Sequence, residues 1–112
     1  MSDLLSKHSK PIAKGTPPLD RSDVLRLLEQ APGFELGSDG KSISKKYQFK
    51  NFYETMAFVN ALAWIAHRED HHPDLEVGYN VCRVTYATHS IGGISDNDLI
   101  CAAKVEALGR SA

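Results

Sequence analysis

The stretch Asn51-Phe-Tyr-Glu-Thr-Met-Ala-Phe-Val-Asn-Ala-Leu-Ala-Trp-Ile-Ala-His-Arg-Glu-Asp70 contains neither glycine nor proline and predicts a helix over 51–70, roughly five turns long. Its apolar residues do not keep to one face. Phe52, Met56, Val59 and Ala63 form one stripe, Phe58, Leu62 and Ile65 a second, and Tyr53, Ala57, Ala61 and Trp64 a third. A helix apolar nearly all round is buried nearly all round, and a single sheet covers only one side of it. The remaining cover comes either from the other helices of the chain or from a second subunit. The second subunit is the favoured source, because the sheet needs those helices too.

Working outward toward the N-terminus, Asp20 caps a helix on which Val24, Leu27, Leu28 and Ala31 recur at helical spacing until Pro32-Gly33 stops it. Phe34-Glu35-Leu36 reads as a short strand and Gly37-Ser38-Asp39-Gly40 as a turn. A second strand over 42–49 sets Ile43, Tyr47 and Phe49 toward a core and Ser44, Lys46 and Gln48 toward water. On the other side of the central helix, Leu75, Val77 and Tyr79 alternate with Glu76 and Gly78 in a strand over 75–79. A stronger strand follows, with Cys82, Val84 and Tyr86 pointing one way and Arg83, Thr85, Ala87 and His89 the other. Gly92-Gly93 breaks the chain, and Ser95-Asp96-Asn97-Asp98 opens a last helix carrying Ile100, Ala103 and Ala107 and ended by Gly109. The order α-β-β-α-β-β-α predicts an α+β fold. Residues 1–19, polar and interrupted by Pro11, Gly15, Pro17 and Pro18, read as a flexible leader, and 20–112 as a single domain.

Composition narrows the function. Hydrophobic content of 42% and charged content of 24% describe a globular chain rather than a disordered or membrane-spanning one. A formal net charge of -1 gives no general attraction to nucleic acid or to an acidic membrane surface. Cys82 and Cys101 are too few for a disulfide framework and read as buried small apolar residues, which suits a reducing compartment. Leu4-Leu5 is followed at once by Ser6-Lys7-His8, so no signal peptide is expected, and a cytoplasmic protein is.

The chemistry gathers in His67-Arg-Glu-Asp-His71-His72-Pro73-Asp74. Pro73 disfavours helical geometry at His72, so the helix should end between Asp70 and His72 and deliver the paired histidines to an exposed corner. Two adjacent imidazoles, with His89 as a third, can supply a proton donor and a proton acceptor near neutral pH. Equally, they can be solvated residues of a turn. His67 and His71 are four apart and would share a helical face, as metal-ligating pairs do, but Arg68 stands where a zinc protease has its Glu. Asp98 is explained by capping the last helix and His8 by an exposed, idle position in the leader, while Arg83, Thr85 and Thr88 either line a polar pocket beside His89 or form the solvent face of an antiparallel sheet.

The pattern His67-x3-His71-His72-Pro73-x5-Tyr79-x9-His89-x8-Asp98 spans 32 positions and resembles the signature of the pterin-4a-carbinolamine dehydratases, known in animals also as dimerisation cofactors of a homeodomain transcription factor. The resemblance runs from about residue 20 to 108. It implies a two-layer fold, a four-stranded antiparallel sheet with helices on one face, paired through a sheet edge into dimers and through the central helix 51–70 into tetramers. It further implies dehydration of 4a-hydroxytetrahydropterin to quinonoid dihydropterin in tetrahydrobiopterin recycling, with neither metal nor cofactor. On this resemblance His71, His72 and His89 surround the pterin, His72 and His89 being the acid/base pair. Asp70, Pro73, Ala87 and Thr88 would contact substrate, Asp74 would favour imidazolium nearby, and Asp98 and Glu69 would support the site. Two positions depart from the pattern: His67 stands where the family commonly has Glu, and Leu75 where many members have an aromatic residue. A competing reading, also implied by the family, is a protein-interaction module that uses the apolar central helix.

Overall fold

Asn51 starts the central helix because its side-chain oxygen accepts the N–H of Glu54 at 2.9 Å, while Glu54 reaches back to the N–H of Lys50 at 2.9 Å. The structure, a computed structural model, describes residues 3–111, with side chains through Gly109. Its helices are α1 (Arg21–Leu27), α2 (Phe52–Glu69) and α3 (Asp96–Ser111), and its strands are β1 (Glu35–Leu36), β2 (Ile43–Gln48), β3 (Asp74–Val77) and β4 (Val81–Tyr86). The expected α+β order is thus observed. The strands form one antiparallel sheet in the order β1-β2-β4-β3.

Alternation along the strands decides which face the helices take. Ile43, Cys82, Val84 and Tyr86 are buried, and the register pairs Ile43 with Tyr86 and Leu75 with Val84 on this same face. Their neighbours Lys46, Arg83 and Glu76 are exposed on the other face. Against the apolar face pack Leu62 of α2, Val24 and Leu27 of α1, and Leu99 to Ala103 with Val105 of α3. Each large apolar side chain so buried contributes about 1.5–3 kcal/mol.

Along α2 the buried residues are Thr55, Leu62 and Glu69, spaced by seven, with Phe58, Val59 and Ile65 half-buried beside them. The other two helices do not wrap it: Phe52, Tyr53 and Trp64 remain 44%, 80% and 61% exposed. The stripe that includes Tyr53, Ala57 and Trp64 is the most open of the three.

Several boundaries differ from the sequence reading. α3 runs through Gly109 to Ser111, since glycine permits a left-handed helix stop without imposing one and costs a helix only about 1 kcal/mol. β3 begins at Asp74 and ends before Tyr79, which is 65% exposed in the turn to β4. His89 lies in a 3-10 turn, His89–Ile91, rather than on β4, because the Thr88–Gly93 bridge folds the chain back just after the strand. Lys45 shares the core-facing side of β2 with Ile43 and Tyr47 and is half-buried there, its ammonium bonding both carboxylate oxygens of Glu106 at 2.8 and 2.9 Å.

The leader lies along the helical layer. Leu4, in a short 3-10 turn Leu4–Ser6, is 2% exposed within the core, and its N–H donates to Gln30 Oε1 at 3.0 Å. Farther on, the N–H of Leu19 donates to the carbonyl of Ile94 at 2.8 Å. Among the described residues no helix is long and apolar enough to cross a membrane.

Candidate active site

The end of α2 is built to turn. Asp70 adopts the left-handed conformation (φ 50, ψ 44) and is the one non-glycine with positive φ among the described residues. The N–H of His71 then closes on the carbonyl of Ala66 at 3.2 Å, and the buried Pro73 holds His72 out of the helix. The turn separates the paired histidines: His71 goes inward and His72 outward.

His71 is 14% exposed at its side chain, and its Nε2–H donates to Asp98 Oδ1 at 2.6 Å. Its ring stacks on Tyr86, centroids 5.8 Å apart and planes 10° from parallel. Asp98 is fully buried, and three donors converge on its carboxylate. Besides His71, Oδ2 accepts Thr88 Oγ1–H at 2.8 Å and the Ser95 N–H at 3.0 Å. With the Thr88 proton spent on Asp98, the Ser95 hydroxyl donates to Thr88 Oγ1 at 2.7 Å. A carboxylate so satisfied is held as an acceptor, which places the proton of neutral His71 on Nε2 and leaves Nδ1 free.

The helix-capping role read for Asp98 is therefore real, through the Ser95 N–H, and the same carboxylate also orients an imidazole. The hydroxyl of Thr88, expected to face substrate, is turned inward onto this network. Tyr86 carries a buried hydroxyl without a hydrogen-bond partner, and burial pushes its pKa up. Burial, together with the nearby charges of Glu69 and Asp98, pushes the Cys101 thiol up to about 12, so it is not a nucleophile at neutral pH.

Beside His71 opens a cavity of about 230 Å³. Asp70, His71, Thr88 and Ser90 line one side of it, and residues 9–12 of the leader line another, with Glu69 and Asn97 between them. A second cavity of about 240 Å³ lies across Thr88, lined by Ala87, Thr88 and His89 together with Lys41 and Gly93. Thr88 is their shared wall. His72 borders neither of these two and is exposed, with its Nδ1–H donating to the carbonyl of Pro73 at 3.2 Å. In neutral His72 that leaves Nε2 with its lone pair. His89 is 78% exposed, with Nε2 3.9 Å from Asp74 Oδ2, a solvent-screened pair that adds little.

Glu69 and the leader were not connected by anything in the sequence pattern. The buried Glu69 carboxylate accepts the Ser9 N–H at 2.7 Å and the His8 Nδ1–H at 2.9 Å, and the Ser9 hydroxyl donates to its backbone carbonyl. Burial alone would raise its pKa, but these donors and the Lys104 ammonium at 3.9 Å hold it below the ordinary value. His8, read as idle, is thus engaged although mostly exposed. His67 is exposed against Trp64, ring centroids 5.5 Å apart, and does not meet His71. Among the described residues no three His, Cys, Asp or Glu side chains are grouped so as to hold a metal ion.

The family model for pterin 4 alpha carbinolamine dehydratase matches residues 17–108. A protein of Nitrosospira multiformis, provisionally named a pterin-4-alpha-carbinolamine dehydratase, is 54% identical over 108 residues, which is 96% of this chain and 94% of the relative. A Stenotrophomonas maltophilia protein of the same provisional name is 57% identical over 90 residues, 80% of this chain and 78% of its own. The crystal structure of a transcriptional coactivator/pterin dehydratase from Brucella melitensis superposes with a TM-score of 0.77 at 31% identity, covering 81% of this chain and 97% of that one. A pterin dehydratase-like protein identified as a RuBisCO assembly factor in the alpha-carboxysome shares the fold alone, at a TM-score of 0.61 and 21% identity over 74% of this chain. The chain that carries His71 on Asp98 therefore belongs to the pterin 4 alpha carbinolamine dehydratase family.

Proposed function

We propose that this protein is a metal-free hydro-lyase that removes water from 4a-hydroxytetrahydropterin, a recycling step after aromatic ring hydroxylation. The observation that carries the reading is the family match over 17–108, within which lie all three histidines of the resemblance. In the reaction a proton reaches the C4a hydroxyl, the C4a–O bond breaks, and the N5 proton leaves as the N5–C4a double bond forms. The products are quinonoid dihydropterin and one water. His72 is the base, since its Nδ1–H is tied to Pro73 and Nε2 is the nitrogen able to take a proton. His89 is the acid that protonates the leaving oxygen. His71, fixed by Asp98 and lining the cavity, holds the pterin through Nδ1, with Asp70 and the backbone at Ala87 and Thr88 contacting its edge.

Turnover of the carbinolamine by the purified protein, with and without EDTA, tests this. Activity should survive the chelator. His72→Ala and His89→Ala should each lower kcat about a hundredfold, and their exposure means the fold should be unaffected. His71→Ala should raise KM more than it lowers kcat. Unchanged kcat in both of the first two variants would refute the acid/base assignment.

A second reading is supported by one observation, the open stripe of α2 with Tyr53 and Trp64 exposed. On this reading the stripe packs against another copy of the chain, completing a tetramer of sheet-paired dimers, or against a protein partner, the Brucella relative being titled a coactivator as well as a dehydratase. Absent turnover together with a stable hetero-complex would favour the partner.

A further inference from the structure

The cavity beside His71 has walls of two origins. One belongs to the domain that the family model covers, 17–108; the other, residues 9–12, lies outside it. That second wall is anchored more firmly than a solvated arm requires. Asn97 exchanges two hydrogen bonds with the backbone of Lys10, accepting its N–H at 3.0 Å and donating to its carbonyl at 2.7 Å, as a neighbouring strand would. One residue earlier, the Glu69 carboxylate takes the Ser9 N–H at 2.7 Å. Both anchoring side chains are buried, Glu69 at 6% and Asn97 at 6% exposure. Each also adjoins a residue of the site: Glu69 precedes Asp70 and His71, and Asn97 precedes Asp98. Buried amide and carboxylate groups are costly unless they are bonded, so detaching the leader would strand both.

We infer that residues 9–12 are a substrate-holding wall of the pterin pocket, pinned by Glu69 and Asn97 as positioning residues. This rests on the dehydratase reading given above. Pro11 and Ile12 bring apolar surface to a cavity whose opposite side is polar, which suits a planar heteroaromatic ring with polar edges and apolar faces. The wall binds rather than reacts: it carries no group the proton transfers need. The kinetic consequence is a contribution to KM without one to kcat.

The double variant Pro11→Gly/Ile12→Ala tests this, because it keeps the backbone anchors at Ser9 and Lys10 and leaves the core untouched. Two measurements apply: carbinolamine turnover, and calorimetric binding of the unreactive probe 7,8-dihydropterin. KM and the dihydropterin Kd should both rise about fivefold, as expected for loss of apolar cover, with kcat within about twofold of wild type. Leu25→Ala, on the exposed side of α1, should move none of these. Unchanged KM and Kd in the double variant overturn the wall, as does a fall in kcat with both constants unchanged. Wild-type protein that binds dihydropterin without turnover overturns the dehydratase reading and leaves the wall to be judged on Kd. Wild-type protein that does neither overturns both.

Discussion

Three donors converge on the carboxylate of Asp98, and one of them is the ring that faces the cavity. Asp98→Asn separates its duties. The amide still offers one oxygen to the Ser95 N–H or to Thr88, but it cannot accept from all three and its nitrogen confronts a donor. We expect KM to rise about ten- to a hundredfold, with kcat less affected, as His71 loses its fixed tautomer, and about 1–3 kcal/mol of stability to be lost to unmet buried donors. Steady-state kinetics beside chemical denaturation measure the two effects, and full activity in the variant would show that His71 needs no partner. At this scale the sequence was partly readable. His71, His72, His89 and Asp98 stand out by type and spacing, and Asp98 caps its helix as the Ser95 spacing predicts. The hydrogen bond between Asp98 and His71 could not be read, because it joins residues 27 apart whose meeting depends on how α3 lies on β4. The same holds for Thr88, which the family resemblance set against substrate while its hydroxyl serves the network beneath.

The C-terminal end of α2 is the element on which site and leader converge. Glu69 closes the helix with a carboxylate that burial would neutralise, yet donors from Ser9, His8 and Lys104 keep it below the usual 4.5. Its folded pKa is thus depressed relative to the unfolded chain. The stability it contributes is fully present above the unfolded value and is lost as pH falls through the folded one. Between about pH 6 and pH 3 the wild-type Tm should therefore drop more steeply than that of Glu69→Gln, in which no charge is lost; parallel curves would remove Glu69 from the acid response. Helix and strand existence was legible here because the periodicities of 3.6 and 2 are strong in α2, β2 and β4. Boundaries were less so. Gly109 is compatible with helix as well as with its end, and the return of the chain at Thr88–Gly93 ends β4 before the alternation does.

For the whole molecule, the question left by α2 is what covers Tyr53 and Trp64, at 80% and 61% exposure. The wild-type protein should sediment as an oligomer, and Trp64→Asp should shift it to a smaller species while leaving the circular dichroism unchanged. A monomeric wild type would assign the stripe to another role. The layered α+β plan was legible from the order of elements, since one apolar sheet face and three amphipathic or apolar helices have few ways to meet. The course of the leader was not, because its proline-broken composition says only that it is no continuous helix. It is fixed by Leu4 in the core and by side chains far along the chain. α3 contributes Leu99 to Ala103 and Val105 to the interior, Asp98 to His71 and Asn97 to Lys10. A chain cut after residue 95 has its histidines in place by sequence but neither the carboxylate that aims one of them nor the amide that fastens residues 9–12. Catalytic competence should therefore appear only once α3 has docked, and a variant cut at residue 95 should be inert rather than partly active.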